Sequence, residues 1–560
     1  SDTSDADVTV ESGATIKAAD LDILAHNNAN MEGSIASGQN QTQNSNFTAI
    51  AASLTKADVQ ANATVEQGAN LEVSGDLKVS ATNVGSYVNN VTSKTGPNGR
   101  AAAAIAYADH QSGVNASLNA NVGDATNVEV VAINDVVKDQ VVATSKVGGT
   151  EFDSAIAKGK EKVKAFKNAE SVFWSKLGLN ALTPENKSAP TQQKFRIGGA
   201  IAYNTSTHNA LAEIGDSTNV HASESIAVLS RVLAKDMKIA AQAAAISTAA
   251  DKPAANDTSR QAYSVGLALG DFTHDAISRV GVDAQLTAPK IAVYSDTVIP
   301  IRDSLLFGSK AETDKWDRWN GLEGMVDAIE SITNIFDVFN GVASAKSTSD
   351  KSSGSINLAG SVGILNYSDN SRAILEKGAT LNLSGSEKGP WTKSFELAPE
   401  VKKYDDLTGA ILLSTTPAVI EEFSFNAAAT VEAKRDATLL FLAGRLPSAS
   451  GEKGLGISFN QISIDSITEA IVREGAVIQG IDELASAGAL GSRTWTQTET
   501  RATEEFNVSA INDERIWNLA AGGGYGASYG INGNVTQMEL TSATHALVDG
   551  NQAPNLACSV

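Results

Sequence analysis

The chain has 560 residues, 42% hydrophobic but only 5% aromatic, so a substantial core is expected and it must be assembled mainly from Ala, Val, Ile and Leu. A formal net charge of −21 and a pI near 4.8 argue against nucleic acid or an anionic membrane as partner, since both would repel the chain. A single cysteine, Cys558, excludes an intramolecular disulfide framework and any multi-cysteine metal site, and no run of about 18 apolar residues is present to span a bilayer.

Residues 1–149 read as short strands joined by polar bends. The phrase VESGATIKAADLDILAHN at 10–27 returns as VEQGANLEVSGDLKVSATN at 65–83, and Gly13, Gly68 and Gly123 are evenly spaced along the chain. Apolar residues alternate with polar ones through Leu71, Val73, Leu77, Val79 and Ala81, with Gly, Asn and Asp at the bends. A Gly-Asp variant of the phrase runs through Gly123-Asp124 and Gly215-Asp216, and the tetrapeptide AIAY occurs at both 104–107 and 200–203. Strands this short bury their faces only by stacking, coil upon coil, which is the logic of a β-solenoid. Asn70, Asn127, Asn219 and Asn555 sit at comparable bends, either as plain turn residues or as rungs of an Asn ladder.

The pattern breaks at 150–195, where Phe152, Ile156, Val163, Phe166, Phe173 and Leu177 follow helical spacing and predict an amphipathic insertion. Lys158, Lys160, Lys162, Lys164 and Lys167 make it the one basic region of an acidic chain, read as a solvated helix face or as a dock for an acidic neighbour or glycan. Solenoid resumes at 196–298. A second helical insertion is predicted over 299–350, with Trp316 and Trp319 preceding an apolar face that includes Phe336, Phe339 and Val342. The five lysines, the two tryptophans, Phe336 and Phe339 form the candidate interaction surface. From 351 to 560 the glycine phrase returns at Gly378 and Gly475.

Motifs for catalysis are weak. His26, His110, His208, His221, His274 and His545 are scattered and lack close metal-ligand spacing, so each is expected at a surface or turn. Gly526-Ala527-Ser528-Tyr529-Gly530 matches G-x-S-x-G, but within a glycine-rich run that reads as a packed strand rather than a nucleophile elbow. Asp405 and Asp406 are the adjacent pair on which an acid/base reading would rest, with an ordinary polar loop as the plainer one. Asn-x-Ser/Thr sequons occur at Asn46, Asn90, Asn204, Asn366 and Asn507. No cofactor is expected; weak calcium binding by scattered carboxylates is left open.

The cadence of Ala63-Thr64-Val65-Glu66-Gln67-Gly68, Ala373-Ile374-Leu375-Glu376-Lys377-Gly378 and Ala470-Ile471-Val472-Arg473-Glu474-Gly475 resembles that of the large repetitive bacterial surface adhesins of the filamentous haemagglutinin and leukotoxin-like class. The resemblance covers most of the chain outside the two insertions. It implies a right-handed parallel β-helix, export to the cell surface, and an attachment or matrix role without catalysis. The helical insertions are a departure from that class. The expected fold is therefore all-β, a parallel β-helix with two helical insertions and coils of about 20 residues, stacking to a rod on the order of 100 Å at about 4.8 Å per coil. The expected role is a non-enzymatic, extracellular structural or adhesive rod. Its termini read as mid-repeat, implying a section of a longer protein or copies stacked end to end, with a host or matrix glycan or protein as further partner. The alternative is a polysaccharide-processing enzyme on the same scaffold.

Overall fold

A computed structural model describes residues 2–39, 47–95, 99–148, 195–247, 261–300, 340–349, 355–384, 389–398, 401–404, 411–416, 419–479 and 506–548. Among these the regular structure is β throughout, with long strands paired in parallel, an arrangement that fits a β-solenoid.

One complete coil shows the plan. Strand β4 (Phe47–Val65) runs along one broad sheet, β5 (Asn70–Val73) forms a narrow side, and β6 (Asp76–Thr95) returns along a second broad sheet. The preceding coil repeats this with β1 (Asp2–Val10), β2 (Thr15–Ala18) and β3 (Leu21–Gln39). The first sheet then stacks β1, β4, β7 (Gly99–Leu118), β9 (Phe195–Ile214), β12 (Gln261–Val280), β16 (Ile356–Leu375), the second half of β22 (Ala429–Val472) and the second half of β24 (Phe506–Val548). The second sheet stacks β3, β6, β8 (Val122–Val147), β10 (Asn219–Ala234) with β11 (Met237–Ser247), β14 (Lys290–Ile299) with β15 (Gly341–Ser349), and the first halves of β22 and β24. On the narrow side β2 pairs with β5, and β13 (Gln285–Ala288), β17 (Thr380–Leu383) and β23 (Val477–Gln479) follow one another higher in the stack.

Register gives the coil length. Val65 lies opposite Val10 on one side and Leu118 on the other. Leu118 pairs with Ile214, Ile214 with Val280, Val280 with Leu375 and Leu375 with Val472. One turn of the chain is thus more than twice as long as the short coils expected from the alternation. Strands of the first sheet reach 20 residues, or about 66 Å, while eight levels span only about 38 Å along the stack. Over these eight levels the scaffold is a flat stack wider than it is tall. The repeated phrase marks one corner per coil, whereas the short alternating runs read as separate strands are parts of long continuous ones.

That corner takes a left-handed residue in every described coil but the one that follows Leu118. Gly13, Gly68, Gly378 and Gly475 occupy it with φ of 81°, 91°, 74° and 77°, and Ser217 and Asp283 hold the equivalent position at 56°. Glycine meets this demand without steric cost. Gly123 does not belong to the series: it lies opposite Glu72, on the narrow side past the corner, so its even spacing from Gly68 is fortuitous. The four asparagines do not form one ladder, although Asn219 shares the corner of Asn70 and its backbone N–H donates to Asn121 Oδ1 at 2.8 Å. Asn70 and Asn127 serve different corners, bonded to Glu72 and Asp76 respectively, and Asn555 lies outside the described residues.

Alternation sends every second residue inward. Near the glycine corner the interior is filled by Leu71, Leu77, Leu118, Val128, Ile214, Leu286 and their neighbours, all essentially without solvent exposure. The far end holds Ala104, Ala106, Ala200, Ala202 and Ile239, together with Phe272, Tyr367 and Phe441.

Both predicted helical insertions lie largely outside the described residues, and where they overlap them the chain is strand save at Pro300 and Asn340, with no helix. Residue 299 closes β14, Phe195 opens β9, and Val342, assigned by spacing to a helical face, sits fully buried in β15 opposite Ala240. The reason is pairing: an open edge of β11 is available beside 341–349, and that segment fits it in unbroken register.

Parity within a strand is testable. Leu118→Ala, at an inward position, is expected to cost about 2–5 kcal/mol by denaturant unfolding, while Gln111→Ala, outward on the same strand, changes stability by no more than about 0.5 kcal/mol. Equal effects would show that alternation does not define the interior.

Candidate functional site

Between the two apolar ends of the flat core runs a band of buried polar and charged side chains, and it holds most of the ionisable chemistry of the interior. Inward positions of β7 bring His110 and Ser112; those of β9 bring Asn204, Ser206 and His208; β12 brings His274 and β16 brings Asp369, all essentially unexposed. The opposite sheet contributes Asn134 and Asp139 from β8, Arg435 from β22, and Asn512 and Glu514 from β24.

These groups bond from coil to coil. His110 Nδ1 lies 2.9 Å from Asp139 Oδ1, and His208 Nε2 lies 3.3 Å from Asp139 Oδ2. Asn204 Nδ2 donates to Asp139 at 3.0 Å, and the Ser206 hydroxyl donates to the same carboxylate. His208 Nδ1 meets Ser112 Oγ at 2.7 Å, and the Tyr87 ring stacks on His110 and His208 at 5.3 and 6.0 Å. Directly opposite His208 stands His274, whose Nδ1 is 2.6 Å from Asp369 Oδ1. Asp369 Oδ2 accepts from Arg435 Nη2 at 2.6 Å, and Arg435 Nη1 donates to Glu514 and, at 3.2 Å, to Asn512. Ser466 closes the chain, donating to Glu514 at 2.7 Å.

The electrostatics follow from the pairing. Burial alone would raise the Asp139 carboxyl, but the His110 and His208 imidazoles outweigh it and hold the group well below the usual carboxylate range. Burial pushes the His208 imidazole down despite Asp139. Burial opposes charge on Arg435 and Asp369 alike, yet each keeps the other ionised: the guanidinium is raised and the carboxyl lowered. A charge-assisted chain of this kind, sealed from solvent, offers no entry for a substrate. What it does is hold neighbouring coils in one register, because a slip would strand a buried charge.

The expectation that the histidines lie at surfaces or turns is corrected for three of them: His110, His208 and His274 are fully buried. Parity held the signal, since each of the first two continues an inward row that begins with alanines, Ala104-Ala106-Ala108 before His110 and Ala200-Ala202 before His208. The sequons at Asn204 and Asn507 are likewise buried and closed to glycosylation in the folded chain, while Asn366 is exposed. The G-x-S-x-G match lies wholly within β24, with no strand-to-helix switch.

A second feature is external. After β17 the chain leaves the stack, and β18 (Trp391–Ala398) pairs antiparallel with β21 (Val419–Phe425), while β19 (Val401–Tyr404) and β20 (Ile411–Thr416) pair between them. Trp391, Phe395, Phe423 and Phe425 of the β18/β21 pair pack on Val131, Ile133, Ala227, Leu229, Ala292 and Tyr294, outward residues of the second sheet. Ion pairs fasten it: Lys78–Glu396 at 3.2 Å, Lys393–Glu129 at 2.8 Å and Arg231–Glu421 at 2.7 Å. Runs apolar at both parities, such as VEVVAIN at 128–134 and IAVLS at 226–230, are the trace in the sequence of a sheet covered on both faces. Beside this cover, burial pushes the Glu432 carboxyl up to about 7, although the Ser509 hydroxyl donates to it at 3.2 Å.

Lys158, Lys160, Lys162, Lys164, Lys167, Trp316, Trp319, Phe336 and Phe339 lie outside the described residues, as do Asp405 and Asp406. Among the described residues no group of three or more His, Cys, Asp or Glu is placed to hold a metal ion, and no helix is long and apolar enough to cross a membrane. No family model, curated protein or solved structure matches the chain.

Two expectations follow. Arg435→Met leaves Asp369 and Glu514 buried without their cation and should cost about 3–5 kcal/mol. Adding Asp369→Asn and Glu514→Gln should recover most of it, and a triple variant no more stable than the single one would refute the pairing. Glu432 keeps its proton in the folded chain to about pH 7 but has a reference value of 4.5. Between those values the folded state binds more protons, so stability falls as pH rises, by about 3 kcal/mol in all. Unfolding midpoints at pH 5 and pH 8 should show this loss, and Glu432→Gln should abolish that part of it.

Proposed function

We propose that the chain is a section of a non-enzymatic, extracellular structural or adhesive rod of a bacterial cell surface. The observation that supports this reading best is the division of labour in the stack. Interior ionisable groups from β7 through β24 are spent on bonding one coil to the next, and what faces outward is broad, regular sheet. A regular sheet surface suits attachment, where many weak contacts add, better than chemistry, which requires a concave, desolvated pocket.

The partners belong to the same reading. The edge of β1–β3 facing away from the next coil has no strand partner among the described residues, and open edges of this kind take up further strands. End-to-end association of copies along this edge is part of the proposal. A glycan or protein of a host or matrix would be met by the outer sheet faces.

Beads carrying the purified chain should bind saturably to one member of a panel of matrix glycans and matrix proteins, and the bound beads should be released by the same soluble ligand. Failure to bind any member, alongside turnover of an acidic polysaccharide by the same preparation, would refute the adhesive reading.

A further inference from the structure

The outer face of the first sheet carries an apolar field that the rod alone does not require. Seven consecutive strands contribute one heptapeptide each: 48–54, 101–107, 197–203, 263–269, 358–364, 455–461 and 531–537. None of the seven contains Asp, Glu, Lys, Arg or His, in a chain of which 19% is charged. Four outward columns cross it. One passes through Ile105, Ile201, Leu267, Val362, Phe459 and Val535. In the next, Tyr107 and Tyr203 stack at 5.0 Å with planes 9° apart. The repeated AIAY tetrapeptide lies within this field, its two copies one upon the other.

The field is open. Exposure is 72% at Leu54, 42% at Val265 and 61% at Ile531, and a Cβ built on Gly199, Gly360 or Gly533 meets no described atom within 4 Å. Charges begin at the very next outward column, at Lys56, Asp109, Asp271 and Glu539. An apolar centre with a polar rim is the anatomy of a protein interface.

Seven residues by seven strands measure roughly 23 Å by 34 Å, or about 800 Å². That exceeds the largest apolar patch of a typical monomer, about 300–600 Å², and matches the area each partner buries in a stable complex, about 800 Å². We propose that this field pairs with the same field of a second copy, sheet against sheet, so that two stacks associate side by side. A flat sheet face is complementary to another flat sheet face at about 10 Å separation, and an isologous contact of this kind closes as a dimer. With a net charge of −21 per chain, two copies repel over most of their surfaces, and the uncharged field is where they approach without opposing like charges. The chain already treats the equivalent problem on its second sheet in this manner, covering outward apolar residues with the β18/β21 pair. Side-by-side pairing does not depend on the adhesive reading.

Sedimentation velocity on the full chain should give twice 58.0 kDa at micromolar concentration. Ile201→Glu with Leu267→Glu, adjacent in one column, should weaken the dimer at least 100-fold with the strand circular dichroism retained. Thr207→Glu with Thr273→Glu, paired outward residues beyond the field, should leave it intact. As a check independent of the folding of that variant, spin labels on Gly360→Cys, with Cys558→Ser, should report an intermolecular distance below about 30 Å, since facing sheets pack about 10 Å apart. A monomer at all concentrations overturns the proposal, whether the Gly360→Cys thiol reacts slowly, the chain covering its own field, or the monomer floats with phosphatidylcholine vesicles. A dimer indifferent to the glutamates, or one without the short distance, is joined elsewhere and overturns it equally.

Discussion

Parallel pairing of each coil with the next, residue over residue, is the constraint on which this protein depends. A parallel ladder fixes every strand by the one before it, and because side chains alternate between faces, a slip of a single residue would turn the interior outward. Across β9, β12 and β16 the register runs unbroken from the first residue of each strand to the last. Insertions in the chain therefore accumulate where the ladder can be left and rejoined, at corners and between β14 and β15, and coil length varies widely while register shifts within the strands are few and local.

Stacking like positions has a consequence for the interior. A polar residue in one coil faces whatever the neighbouring coils place at the same position, so buried polarity propagates along the stack or must be neutralised by it. Here it is neutralised. Asp139 lies between His110 and His208, His274 beside Asp369, and Arg435 between Asp369 and Glu514. Such a row costs desolvation that an apolar row would avoid, and its return is specificity: aliphatic columns of Ala and Val tolerate displacement, whereas hydrogen-bonded charges do not. The two apolar ends supply the bulk of the driving force and the polar band fixes their alignment.

On the outside the same repetition builds surfaces that are uniform over several coils. Where outward positions are apolar in every coil, the result is a field rather than a spot. The second sheet's field is covered by an antiparallel pair of strands whose aromatics and ion pairs are supplied by the chain itself. The first sheet's field has no cover among the described residues. Two faces of one stack thus show the same physical pressure with two different outcomes.

The repetition itself, the β character and the corner at Gly13, Gly68, Gly378 and Gly475 were legible in the sequence, because alternation and the demand for a left-handed residue are local properties of the chain. Coil length was not. A short strand reads the same as a segment of a long one: the polar centre NTSTHN of β9 lies within one continuous strand, with Asn204, Ser206 and His208 inward. For the same reason His110, His208 and His274 passed for turn residues. Their partners lie 29, 69 and 95 positions away in sequence and are brought within hydrogen-bond distance only by the stacking. Local chemistry therefore determined what kind of element each segment forms. Which residues meet, which charges are sealed, and which apolar positions merge into a face were decided only when coils of unequal length closed upon one another.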